Sequence, residues 1–196
     1  NVARLALRDE PLAAAVKASA GGALTIEPAR SGVPSARRSG RWIHSAYDPL
    51  REAETWTETH APACREGETV VVAGVGLLYH VEALRKRLAS EIVVAVLISD
   101  LDEFHDALVA RPLESWTEDI VWLFGPPVEI ADRLSKMGRP LRCLSYAPAT
   151  HKDADFHSAF EQALRRGVAR QTGGQLTITL VGPIYGGSLP IARYVR

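Results

Sequence analysis

Cysteine, methionine and net charge are all scarce in this 196-residue chain: two Cys, one Met, and 23 Lys and Arg balanced by 23 Asp and Glu. A surface that tracks a nucleic-acid backbone needs a cationic excess, so the balance argues against a nucleic-acid partner. Cys64 and Cys143 stand far apart, in no metal-ligand spacing. Cys143 lies in an apolar run with Leu141 and Leu144, where a buried thiol is expected rather than a catalytic one. Such cysteine usage suits a reducing cytoplasm, the expected compartment. No apolar run approaches the roughly 18 residues of a membrane helix, so no span is expected. P-loops, Gly-x-Ser-x-Gly elbows and metal-binding histidine pairs are also missing. No catalytic residue, metal or cofactor is assigned. What is left is an ordinary globular composition, 46% apolar and 23% charged, long enough for one α/β domain with some extra structure.

Residues Asn1 to Ala20 carry a helical pattern broken at Pro11, which predicts two short helices meeting at Asp9-Glu10-Pro11. Ala23 to Pro28 reads as a strand, and Ala29 to Gly40, rich in Ser, Gly, Pro and Arg, as a loop or hairpin arm with Arg37 and Arg38 solvated. Asp48-Pro49 opens a helix that runs to about Thr59: the carboxylate caps free N–H groups and proline suits the first turn. Short β-branched runs follow, at Thr69–Ala73, Glu91–Ile98, Asp119–Phe124, Pro140–Tyr146 and Gln175–Val181. Helical segments separate the first four, at Leu78–Ser90, Leu101–Ala110 and Val128–Met137, and Asp153–Arg170 follows the fourth. Strand–helix alternation at this spacing implies a Rossmann-like α/β fold, a mainly parallel sheet with helices on both faces, plus a small N-terminal helical and irregular segment. The expected organisation is residues 1–40 as that segment, 41–172 as the Rossmann-like domain, and 173–196 as the first strand and Gly-rich turn of a second α/β domain cut short.

Thr69 to Asp100 is the opening β-α-β unit, and Gly74-Val75-Gly76 is its turn. A turn at the end of a buried strand lets backbone approach a ligand, and the following helix aims its N–H groups there. The fingerprint G-x-G-x-x-G is incomplete, because Tyr79 stands at the third glycine position. The residues leave two readings open: a ligand-facing turn, or a structural joint that binds nothing. The same holds for Asp100, either a ribose ligand or the cap of the next helix, and for His80, either packed or reaching the cleft. His44, Tyr47 and Asp48 form a substrate-side wall over the Gly turn, or the segment is a capped surface helix with Glu52 and Glu54 solvated. His151, Asp153, Asp155 and His157 resemble a metal cluster, but His151 and His157 do not share a helical face, so a solvated helix start is expected. Asp102 and Glu103 lie in a helix first turn, where the macrodipole favours them.

Three segments carry a family likeness: Ala29-Arg30-Ser31-Gly32-Val33-Pro34, the run His44 to Glu54 (HSAYDPLREAE), and Gly74 to Leu84 (GVGLLYHVEAL). They resemble the MptE-like family, which groups hydroxymethylpterin-pyrophosphokinase-like proteins with motility-accessory-factor glycosyltransferases. The ending Val181 to Ala192 (VGPIYGGSLPIA) resembles the start of a CgeB-like glycosyltransferase domain. The likeness implies Gly74, Gly76, Tyr79 and His80 on a nucleotide side, and His44, Tyr47, Asp48 and Glu52 on a cleft wall. Two positions depart from it: Leu78 stands where a further glycine is common, and Ile98 where an acidic residue is. The expected role is an auxiliary, non-catalytic module of a bacterial glycosyltransferase-like protein, with a nucleotide or nucleotide-sugar and an acceptor protein as candidate partners. The alternatives are a nucleotide-dependent transferase using Asp48 or Asp100, an S-adenosylmethionine-binding fold, and a scaffold that presents an acceptor. A cleft filled by side chains beside Gly74 and Gly76 would favour the scaffold.

Overall fold

The structure, a computed structural model, describes residues 1–112, 114–171 and 178–181. Five parallel strands form the central sheet: β4 Thr69–Ala73, β5 Val93–Leu97, β6 Ile120–Leu123, β7 Leu141–Ser145 and β8 Ile178–Val181, in the spatial order β6-β5-β4-β7-β8. Every residue of β4 is buried, as a Val-rich run without alternation requires when both faces are covered. The chain moves outward from β4 to β5 and β6, then returns to the other side of β4 for β7. The reversal puts a topological switch point between the carboxyl ends of β4 and β7, where open α/β sheets bind ligands.

Side-chain alternation divides the core. Val70 and Val72 of β4 join Val94 and Val96 of β5 on one face, against Val81 and Leu84 of α4 (Tyr79–Arg87) and Phe104 and Leu108 of α5 (Leu101–Ala110). Val71, Ala73, Ala95 and Leu97 point the other way, onto Ile130 and Leu134 of α6 (Pro127–Lys136) and Phe160 and Leu164 of α8 (Ala154–Gln171). The fold is therefore Rossmann-like α/β with helices on both faces. No helix among the described residues is long and apolar enough to cross a membrane.

The N-terminal segment folds as α1 (Val2–Ala6) and α2 (Glu10–Ala18), joined where Asp9 accepts from the Leu12 N–H at 3.0 Å. Leu12 and Val16 enter the same apolar cluster as Val70 and Val72. A three-stranded antiparallel sheet follows: β1 Thr25–Pro28, β2 Pro34–Arg38 and β3 Arg41–Trp42. The segment read as a loop or hairpin arm, Ala29 to Gly40, thus supplies the β1–β2 turn, strand β2 and the turn into β3. Helix α3 (Pro49–His60) begins at Asp48, whose Oδ1 accepts from the N–H groups of Leu50 and Arg51, each at 3.1 Å. One helical turn, α7 (Ala147–Thr150), follows β7 directly. The Gly-rich turn expected after Val181 lies outside the described residues.

Candidate functional site

Strand β4 delivers the chain into Gly74 at φ +96° and Gly76 at φ +48°, both in the region that favours glycine. What approaches their bare Cα atoms is this chain itself. A Cβ on Gly74 would lie 2.9 Å from the Tyr146 carbonyl oxygen and 3.1 Å from Ala149 Cβ, because α7 fills the crevice at the switch point. A Cβ on Gly76 would lie 2.5 Å from His44 Nε2. Leu78 caps α4 with φ +63°, a conformation that costs a non-glycine residue roughly 1–2 kcal/mol. This strained leucine occupies the position where the family resemblance favours glycine.

The two N–H groups that would cradle an anion are already engaged. Gly76 N–H donates to Glu103 Oε1 at 2.8 Å, and Leu77 N–H donates to His44 Nε2 at 2.7 Å. Glu103 is buried, and Arg38 of β2 pairs with it while also donating to the Ala149 carbonyl at 3.2 Å. The expectation that Arg38 is solvated fails: it is 7% exposed, drawn in by a buried carboxylate that needs a counter-charge. Arg37 instead lies over the Trp42 ring at 3.9 Å. Glu103 does more than complement a helix dipole, since its carboxylate puts negative charge where a bound phosphate would bring it.

His44 links the turn to the cleft wall. Its Nε2 accepts from Leu77, so the neutral ring carries its proton on Nδ1 and donates to the Tyr146 hydroxyl at 2.9 Å. The Tyr146 hydroxyl stands 2.8 Å from the Ile43 carbonyl and 3.1 Å from Glu52 Oε2, to one of which it donates. Burial lowers the pKa of His44 and raises that of Tyr146, and so keeps both neutral. Burial also works to raise the pKa of Glu52, but hydrogen bonds from His44, the Ser45 N–H and Tyr146 outweigh it and hold the group below its ordinary value. His80 is fully buried: its Nε2 donates to the Gly74 carbonyl at 2.9 Å, and its ring stacks on Tyr146 at 4.0 Å. Burial, reinforced by His44, pushes its pKa well below the usual histidine range. Of the two readings of His80, the structure gives the packed one.

Beside this network, between α3 and the carboxyl end of β7, lies an open cavity of about 720 Å³ lined by Tyr47, Asp48, Glu52, Trp56, His60 and Tyr146 among others. A smaller one of about 380 Å³, lined by Arg38, Arg41, Trp42 and Lys152, shares the α7 wall from the other side. The structure thus gathers Gly74, Gly76, His44, His80 and Glu52 into one cluster and puts Tyr47, Asp48 and Glu52 on a cavity wall. Tyr79 meets the cluster through its ring, edge-on to His44 at 5.4 Å, while its hydroxyl donates to the Pro34 carbonyl at 2.8 Å and the Arg111 guanidinium lies 3.7 Å above its ring. Asp100 is a helix cap, accepting from the N–H groups of Asp102 and Glu103 at 2.9 and 3.1 Å, with Lys152 at 3.3 Å.

Sequence reasoning missed Glu103, Arg38, Tyr146 and Trp56 as parts of this region. The pairing of Arg38 with Glu103 is long-range and left no local pattern, whereas Tyr146, directly after a strand, held a signal in the switch-point rule. His151 is exposed and His157 buried, and among the described residues no three His, Cys, Asp or Glu side chains converge to hold a metal. Cys143 is buried with its pKa pushed up to about 12, an unreactive thiol.

No protein-family model and no curated protein matches the chain. Among solved structures, the crystal structure of MNMC2 from Aquifex aeolicus is similar at 15% identity and a TM-score of 0.37, over 79% of this chain and 62% of that one. The chain therefore spans less than two thirds of that structure's length, and at this overlap the likeness says nothing about activity.

Proposed function

We propose that the chain is an auxiliary, non-catalytic Rossmann-like module of a bacterial glycosyltransferase-like protein, with its glycine turn retained as an architectural joint. The MptE-like segments around Tyr47-Asp48-Pro49 and Gly74-Val75-Gly76 support the family half of this reading. The observation that carries the non-catalytic half is the capture of the Gly76 and Leu77 N–H groups by Glu103 and His44. A nucleotide phosphate seated on those donors would have to expel a buried carboxylate and leave Arg38 without its partner. Breaking a buried pair in this way costs about 3–5 kcal/mol, which lowers affinity by two to three powers of ten or more. Asp48 and Asp100, the acids a metal–nucleotide transferase would draw on, both hold helix starts. A closed switch-point crevice suits a module that holds an acceptor protein for a transferase domain.

The test is a titration of the ¹⁵N-labelled chain with nucleoside mono- and diphosphates and nucleotide-sugars. The expected result is no saturable shift at the Gly76 and Leu77 amides. Saturable nucleotide binding that moves those two amides overturns the reading.

A further inference from the structure

The cavity of about 380 Å³ on the other side of α7 falls within the size range of small-ligand sites, roughly 300–1,000 Å³. The turn from β2 into β3 builds one of its walls. Ser39 at φ +50° and Gly40 at φ +79° form a two-residue turn, left-handed at both positions as a tight hairpin requires. That turn sets Arg38 directly opposite Arg41, and like charges at facing positions repel. Glu103 answers the charge of Arg38, whereas Arg41 has no ion-pair partner among the described residues. His151 and the exposed Lys152, which touches Asp100 at 3.3 Å, line the cavity from beyond α7. No Asp or Glu stands among its described lining residues. Arg38, 7% exposed, gives one nitrogen to the Ala149 carbonyl and pairs with Glu103 through another. Its Nε–H is buried and has no acceptor among the described residues. Buried donors in folded proteins are rarely left unmet, because the desolvation is then uncompensated.

From the unmet Arg38 donor and the unanswered charge of Arg41 we propose that this cavity binds a small organic oxyanion, a phosphate or a carboxylate. An oxyanion brings the acceptor that Arg38 Nε–H lacks, and its charge relieves the facing arginines. Guanidinium groups and oxyanions match in geometry, and their hydrogen bonds are the strong, charge-assisted kind. Trp42, Ala147 and Pro148 supply apolar wall for the body of the ligand. An ammonium ligand meets Arg41 and Lys152 as like charges, and a neutral alcohol leaves Arg41 unanswered. The site uses neither the Gly76 nor the Leu77 N–H, so it goes beyond the reading of the glycine turn and does not depend on it.

Four probes of similar shape separate these cases: phenyl phosphate, benzoate, benzyl alcohol and benzylamine, titrated against the ¹⁵N-labelled chain. The Trp42 indole N–H and the Arg38 Nε–H are the reporters. At least one of the two anions is expected to move both reporters saturably and in parallel, and the tighter one identifies the oxyanion the site takes. The alcohol and the amine are expected to bind at least about tenfold more weakly than that anion. Arg41→Gln and Lys152→Gln should each weaken it about tenfold through loss of a charge-assisted hydrogen bond. Arg133→Gln, which removes an exposed cation on α6, should leave it unchanged and so controls for general attraction to a cationic surface. A thermal melt of each variant checks that it is folded. Equal binding of the alcohol or amine, an unmoved Arg38 Nε–H, an equal loss in Arg133→Gln, or no loss in folded Arg41→Gln or Lys152→Gln overturns the proposal. So does the lack of any saturable shift. The reporters are Trp42 and Arg38 rather than the Gly76 and Leu77 amides, so its failure is distinguishable from failure of the proposed function.

Discussion

Two regions at the same carboxyl edge of the sheet behave in opposite ways. The turn after β4 has the spacing of a ligand cradle, yet its donors are satisfied from within by Glu103 and His44. The cavity at the end of β7 has no recognised spacing, yet it is open, with Asp48, Glu52, Trp56 and Tyr146 on its wall. Glycine spacing reports where backbone must come close to something. It does not say whether that something is a ligand or another part of the chain.

The largest expected effect breaks the closed region directly. Glu103→Ala removes the acceptor of the Gly76 N–H and leaves Arg38 buried without a counter-charge, at a cost of about 3–5 kcal/mol. Urea denaturation checks this, and acetate in the buffer should restore part of the loss by re-supplying a carboxylate. Replacing both Arg38 and Glu103 by Met should cost less than Glu103→Ala alone. If it costs more, the pair is not the lock described.

Next comes Gly76→Ala. At φ +48°, with His44 Nε2 2.5 Å from the added Cβ, the loss should be about 2–3 kcal/mol from backbone strain and overpacking together. Gly138→Ala is the control, at φ +65° with nothing within 4 Å. It should lose only about 1 kcal/mol of strain, and equal losses in the two variants would remove the close-approach argument.

Acid attacks the turn through His44 and His80, and the opposite face of the sheet through His157. The pKa of His157 is lowered by burial to about 4, against an ordinary 6.5. The unfolded chain then takes up the proton first as pH falls, so stability is full above about 6.5 and declines toward pH 4. Each such histidine contributes up to about 1.4 kcal/mol per pH unit within its window. His157→Leu should flatten part of the slope between pH 6.5 and 5 in denaturation midpoints, and an unchanged slope would contradict it. The smallest effect is Tyr146→Phe, which removes the link between the turn and the cavity wall at about 1 kcal/mol. It should shift the titration of Glu52 upward, as followed by its carboxyl ¹³C resonance.

The strands were legible because TVVVA and its counterparts are short β-branched runs, and the helix starts because Asp48-Pro49 and Asp100 are recognisable caps. Element ends were less so: the strand expected over Glu91–Ile98 is trimmed to Val93–Leu97, since pairing with β4 and β6 decides where it stops. Half of the site was legible, as His44, Glu52, Gly74, Gly76 and His80 do converge. What filled it was not. An arginine in a Ser- and Gly-rich segment and a glutamate in a helix first turn each have a sufficient local explanation, and only the tertiary fold brings Arg38 onto Glu103.

The central claim, that the turn is liganded by its own chain, is tested most directly on His44. A long-range ¹H–¹⁵N spectrum should show the neutral ring protonated on Nδ1, with a coupling across the hydrogen bond between His44 Nε2 and the Leu77 amide nitrogen. A ring protonated on Nε2, with no such coupling, would leave the Leu77 donor free and contradict the account.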